Sequence, residues 1–128
     1  MTSYAGSIDK TEPGQGVKFS VIVGSGGITA GQPMKWDGST ARTAVASTTT
    51  SDVIIGLARD TVSAAGQVTV LGDGCLVKTP YTLTVGGKVG VGTSGTAGTL
   101  VDYSTGTVVG TVETGATTAS IVRVQIQF

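Results

Sequence analysis

One internal echo limits what this chain can fold into more than any other feature. Val53-Ile54-Ile55-Gly56-Leu57-Ala58 leads through the turn Ala64-Ala65-Gly66 into Gln67-Val68-Thr69-Val70-Leu71. Later, Val108-Val109-Gly110-Thr111-Val112 leads through Thr117-Thr118-Ala119 into Ile121-Val122-Arg123-Val124-Gln125. Gly56 and Gly110 stand 54 positions apart, and the same offset sets Val68 on Val122 and Val70 on Val124. Upstream, Ile28-Thr29-Ala30-Gly31-Gln32-Pro33-Met34 matches Leu83-Thr84-Val85-Gly86-Gly87-Lys88-Val89 at an offset of 55. The chain reads as two diverged half-repeats, over about 28–71 and 83–125. Two units predict a small pseudo-symmetric β domain, because a solenoid needs about three to bury its core. The competing reading is that Gly-, Thr- and Val-rich strands align by composition alone.

The rest of the chain fits an all-β reading. Val17, Phe19, Val21 and Val23 alternate onto one face of a first strand, with Lys18, Ser20 and Ile22 on the other. Gly24-Ser25-Gly26-Gly27 ends that strand, and Asp37-Gly38 after Trp36 signals a hairpin. Ser47-Thr48-Thr49-Thr50-Ser51 reads as an exposed loop, and the Ala/Val piece before it as an edge strand. Val122, Val124, Ile126 and Phe128 alternate along the final strand, which by period partners the first one to close a barrel. No segment longer than a turn carries the apolar repeat of a helix. The predicted fold is a small β-barrel or β-sandwich built from two tandem half-repeats, residues 17–128, behind an extended N-terminal arm, residues 1–16. That arm is polar and broken by Gly6, Pro13, Gly14 and Gly16, with Tyr4 and Ile8 as its apolar groups.

Composition bounds the function. At 128 residues the chain is long enough to bury roughly two-thirds of its unfolded surface without staples. Only 12% of residues are charged, so Thr, Ser, Gly and Gln must cover the surface. Eight basic and eight acidic residues cancel, leaving no basic stripe to displace counterions from nucleic acid. No apolar run approaches the ~18 residues of a membrane span, and Met1-Thr2-Ser3-Tyr4 has neither region of a signal peptide. Synthesis in a cytoplasm is expected, and the single Cys75 agrees with that compartment.

Catalytic chemistry finds little to work with. The chain has no histidine, which excludes Ser-His-Asp triads, Cys-His pairs and histidine metal sites. Cys75 has no base near it in sequence and reads as a buried small hydrophobe beside Leu76 and Val77. Gly90-Val91-Gly92-Thr93-Ser94-Gly95 has the letters of a dinucleotide loop. Yet Thr96-Ala97-Gly98-Thr99 after it cannot start the helix whose N-terminus would face a pyrophosphate. Asp37 and Asp73 precede glycines and read as turn residues. Asp102 and Glu113 lack a companion, and no run of alternating oxygen ligands suits calcium. No enzyme and no cofactor is expected.

Several phrases together resemble the capsid decoration, or cement, proteins of tailed bacteriophages. They are the polar N-terminal arm, Ile28 to Met34 with Trp36-Asp37-Gly38, Ile55-Gly56-Leu57-Ala58, Ala65 to Val70 before Gly74, and Val109-Gly110-Thr111-Val112 before an apolar last strand. The resemblance spans about residues 17–128 and lies in order and rhythm. It implies a β-barrel or β-sandwich module, commonly a homotrimer, that binds the outside of an icosahedral head and clamps neighbouring major capsid protein subunits. It carries no catalytic residues. On this reading Tyr4, Ile8 and Lys10 are the capsid-contact candidates, and the protein resides on the virion exterior after synthesis in the host cytoplasm. Trp36, Tyr81 and Tyr103 are the oligomer-interface candidates, as aromatics beside turns. Trp36 has two readings: a core plug, or a cap over the barrel end at a subunit contact. Two other classes stay open: a virion fibre or surface module binding a receptor or glycan, and a β-barrel enzyme using carboxylates. Aromatics at only 5% weigh against the glycan module.

Overall fold

The computed structural model describes residues 16–93, 96–113 and 121–124, and its regular elements are ten β-strands. β1 (Lys18–Val23), β2 (Pro33–Trp36), β3 (Thr43–Ala46), β4 (Gly56–Ala58) and β5 (Gln67–Leu71) close into a barrel in the order β1-β3-β2-β4-β5. β6 (Leu76–Lys78), β7 (Lys88–Val91), β8 (Leu100–Asp102), β9 (Val108–Val112) and β10 (Ile121–Val124) form a second sheet in the order β6-β10-β9-β7-β8. The fold is all-β, with a closed five-stranded barrel beside a second sheet.

The internal repeat is written into the strand pairing. Walking the barrel from β1 through β5, β4 and β2 to β3 repeats the walk from β6 through β10, β9 and β7 to β8. Registers agree residue by residue. Met34 faces Gly56 as Val89 faces Gly110, and Trp36 faces Ala44 as Val91 faces Leu100. The closing strands depart from a constant offset. Ala58 pairs with Val70, and its counterpart Val112 pairs with Val122, so Val70 corresponds to Val122 rather than to Val124. A slip of two residues keeps every side chain on its own face, so the core tolerates it. The pairing also draws β1 and β6 into the repeat: Phe19 faces Val70 as Val77 faces Val122. Val21 then corresponds to Thr79 and Val23 to Tyr81.

Two expectations are corrected by this topology. The first and last strands do not pair: β1 joins β5 and β3, while β10 joins β6 and β9. Each half pairs within itself because Val21 and Val23 of β1 share one core with Val68 and Val70 of β5, whereas Val122 and Val124 of β10 share the other with Val77 of β6. The Ala44-Val45-Ala46 strand is no edge either; as β3 it sits between β2 and β1 and closes the barrel.

The barrel interior holds Val21, Val23, Met34, Ala44, Ala58, Val68 and Val70. Alternation along β4 and β5 turns Leu57 and Leu71 to the opposite, outer face. These two are cross-strand partners, fully buried, and they join Val77, Val89, Val109 and Val122 in a second core. The barrel wall thus covers the inward face of the second sheet. Cys75 is buried in that core, with its Sγ 3.4 Å from the Val17 carbonyl.

Only one half closes, and proline explains why. In the barrel the parallel β1–β3 seam is made by the Ile22 amide donating to the Arg42 carbonyl at 2.9 Å and the Gly24 amide to Ala44 at 2.8 Å. The counterpart of Ile22 in the second half is Pro80, which has no N–H to give. The counterpart of Arg42 is Gly98, and both hold positive φ, 58° and 79°. The Gly98 carbonyl accepts instead from the Gln32 amide side chain at 2.9 Å and from the Tyr81 hydroxyl at 3.4 Å. A bond that would seal the second half therefore ties it to the first.

A polar loop completes this join. The Asp52 carboxylate accepts from the Thr48 and Thr49 amides at 2.9 and 3.0 Å and from the Ser47 hydroxyl at 3.0 Å, with Lys35 Nζ at 3.3 Å. Loop carbonyls then receive the second half. Thr107 donates its amide to Thr50 at 2.7 Å and its hydroxyl to Asp52 at 2.8 Å, and Thr93 donates to Thr48 at 3.3 Å. Burial alone would raise the Asp52 pKa. The hydrogen bonds from Thr49, Thr48 and Ser47 outweigh it and hold the carboxyl well below the usual carboxylate range. The folded pKa is depressed, so the stabilisation is complete above the unfolded value of about 4 and fades as pH falls below it. Asp52→Ala is expected to cost about 1–2 kcal/mol at pH 7 and clearly less near pH 2, measured by urea unfolding at both pH values. An equal cost at both would refute the charged-cap account.

Candidate docking surface

The inward-facing rows of the barrel run out at one end into large apolar side chains. Phe19 continues the Val23–Val21 row along β1, and Trp36 continues the row of Met34 along β2. Their rings meet at 6.4 Å between centroids, tilted by 36°. Val17, Val53, Ile54, Ile55, Gly72 and Asp73 complete a concave, mainly apolar mouth of about 430 Å³ around them. Val17, Trp36 and Val53 are 55%, 48% and 69% exposed, while Phe19 and Ile55 are half-buried against the barrel core. Three of the six exposed large hydrophobics among the described residues therefore line one hollow.

The neighbouring hairpin fixes Trp36. Asp37 Oδ1 accepts from the amides of Thr40 and Ser39, both at 2.9 Å, and these bonds hold its carboxyl below its ordinary range. The turn returns to Thr43 through Arg42, and β3 pairs back on β2. The Asp37-Gly38 hairpin expected from the sequence is present.

The sequence-derived candidates separate. Trp36 lies at the mouth and is half-exposed, which corrects the core-plug reading and leaves the cap over the barrel end. Tyr81 is buried at 8% exposure and belongs to the second core, so it offers no exposed ring to a neighbour. The reason is its place in the repeat: it holds the inward position that Val23 holds in the barrel. Burial pushes its phenol pKa up to about 12, which keeps the hydroxyl a donor to Gly98. Tyr103 is exposed beyond β8, with Lys88 Nζ 5.9 Å from its ring centre, and touches neither of the other two. Tyr4, Ile8 and Lys10 lie outside the described residues, as do Ile126 and Phe128.

The sequence reading missed Val17, Phe19, Val53 and Ile55 as site residues. A signal was present for Val53 to Ile55: three successive aliphatics cannot all face one core in a period-two strand. Here Ile54 faces the second core while Val53 is left to solvent.

Of other chemistry there is little. Among the described residues no three His, Cys, Asp or Glu side chains gather as a metal site. The Asp102 carboxylate accepts from the Thr84 amide and hydroxyl at 2.9 and 2.7 Å and tethers β8 to the loop before β7. Gly90 and Val91 of the glycine-rich phrase are inside β7, with Tyr103 packed over Gly90. The described residues form a β module with an exposed apolar mouth. No protein-family model matches the chain, and no curated protein is significantly similar to it.

Proposed function

We propose that this protein is a non-enzymatic structural module that binds the outer surface of a phage capsid and clamps neighbouring major capsid protein subunits. It does so as a homotrimer on the virion exterior, after synthesis in the host cytoplasm. One observation carries the reading: the exposed apolar mouth lies where the N-terminal residues join the fold, at Gly16 and Val17. Tyr4, Ile8 and Lys10 are thus tethered by fewer than fifteen residues to a surface where Val17, Trp36 and Val53 are exposed among the described residues. A clamp gains from such pairing, because linked modest contacts multiply into avidity and an ordered arm adds area at an entropic cost. The low charge fits an interface of this kind, whose binding should weaken little with salt.

Deletion of residues 2–14 tests it. Capsid co-sedimentation is expected to be abolished, while circular dichroism and the melting temperature stay as in the full chain. Undiminished binding of the deleted protein would sink the arm as the capsid contact.

A further inference from the structure

We infer that Arg42, on the flank of the barrel, is the centre of a binding site for the carboxylate of an acidic sugar chain, a polyuronate in its simplest form. The inference goes beyond the capsid reading and does not depend on it. Arg42 holds φ at +58°, a left-handed conformation that residues with a Cβ rarely adopt. Its counterpart in the second half is Gly98, at φ +79°, where glycine meets the same requirement freely. Ala65 shares the conformation, so the angle alone marks nothing. Arg42 differs in what it carries. Lys35 and Arg59 of the barrel are paired with Asp52 and Asp60, whereas the Arg42 guanidinium makes no ion pair or hydrogen bond among the described residues. A long cation thus stands where glycine fits best, and the fold itself makes no use of its charge. Strained positions of this kind collect at ligand clamps.

Two hollows meet at this side chain. One, of about 170 Å³, is lined by Ser20, Val21, Ile22, Gln67 and Arg42. Ser20 and Ile22 share the outer face of β1, and Gln67 is the cross-strand partner of Ile22. The Ile22 amide donates to the Arg42 carbonyl, which fixes the arginine beside that face. The other hollow, of about 490 Å³, is lined by Trp36, Gly38, Ser39, Thr40, Ala41 and Arg42. No acid lines either one, and Asp37 of the same hairpin is turned to the Ser39 and Thr40 amides. A guanidinium fork matches a planar carboxylate, and Gln67 and Ser20 can add hydrogen bonds without adding charge. One positive charge balances one carboxylate, whereas a phosphate monoester would stay partly unneutralised. The smaller hollow lies below the roughly 300 Å³ of a drug-sized site, so it admits a charged group and not a whole ligand. The body of the ligand then extends into the larger hollow. There the half-exposed Trp36 ring offers an apolar face, and Ser39 and Thr40 offer polar ones. Apolar C–H faces beside hydroxyls are what a pyranose presents. One ring is enough, because the ion pair supplies the orientation.

Oligogalacturonate is the probe, titrated into the full chain by calorimetry and by emission of Trp36, the lone tryptophan. The same chain fully methyl-esterified, and poly-glutamate, are the comparisons. Arg42→Gly installs the residue that this backbone prefers, so its melting temperature should equal or exceed that of the wild type. The expected result is saturable binding of oligogalacturonate that weakens in high salt and falls at least about tenfold in Arg42→Gly. Arg42→Lys should also bind more weakly, because an ammonium lacks the fork, while Arg59→Ala should bind as the wild type does. Absence of saturable binding, or equal binding by Arg42→Gly, would overturn the inference. Equal binding of the methyl ester would do so by showing that the carboxylate is not read, and equal binding of poly-glutamate by showing that any polyanion is accepted. Capsid co-sedimentation has no part in the test, so the two readings fail separately.

Discussion

Gly110→Ala is expected to lower stability by about 3 kcal/mol, and Gly56→Ala by a similar amount. A Cβ on Gly110 would run into the Arg123 carbonyl oxygen and lie 3.0 Å from its carbon and 3.1 Å from Val122 Cγ1. On Gly56 it would meet the Leu71 carbonyl oxygen and Val70 Cγ1, each at 2.5 Å, with φ at +153° besides. Both obstacles are a neighbouring strand held in its ladder, so relief requires β4 to leave β5, or β9 to leave β10. Against a total of 5–15 kcal/mol for a domain this is a large fraction, and the melting temperature should drop by roughly 10 °C. Gly38 sits at φ +84° with open space around it, so Gly38→Asn is the matched control and should change stability by less than about 1 kcal/mol. Thermal melts of the three variants decide it. Near-wild-type stability of Gly110→Ala would mean that the two strands are not packed as described.

Leu71→Ala should cost about 3 kcal/mol and weaken both halves together. Its backbone belongs to the barrel, paired with Lys18 and Leu57, while its side chain is fully buried in the core shared with the second sheet. Removing three carbons there leaves a cavity that neither half can fill alone. Trp36 emission reports the barrel, and in a Tyr4→Phe, Tyr103→Phe background the tyrosine signal of Tyr81 reports the second core. The two are expected to change in one coincident transition in urea, displaced equally in the variant. Separated transitions would show that the halves fold independently and that the Leu57–Leu71 wall is a weak join.

Much of the architecture was legible because it depends on periods and on backbone freedom. The alternation of Val21 and Val23, the Asp37-Gly38 hairpin, the burial of Cys75 and the correspondence of Gly56 with Gly110 follow from residues and their neighbours in the chain. The site was less legible. Whether Trp36 plugs a core or rims a mouth depends on how far the Met34 row extends inside the barrel, which no local pattern records. Tyr81 illustrates the reverse error: a turn-flanked tyrosine reads as exposed until register places it opposite the counterpart of a core valine.

The sequence by itself determined an all-β chain of two related halves, with no histidine chemistry and a sparsely charged, net-neutral, hydroxyl-rich surface. Tertiary structure alone decided that the halves are not equal. Ile22 has an amide to donate across the parallel seam and closes the barrel, whereas Pro80 has none and the second sheet stays open. Gln32 and Tyr81 take up the Gly98 carbonyl, and Leu57 and Leu71 cover the open sheet's inward face. Among the described residues, Val17, Trp36 and Val53 at the barrel mouth stay exposed, while Leu57 and Leu71 on the barrel's outer face are already used inside the chain.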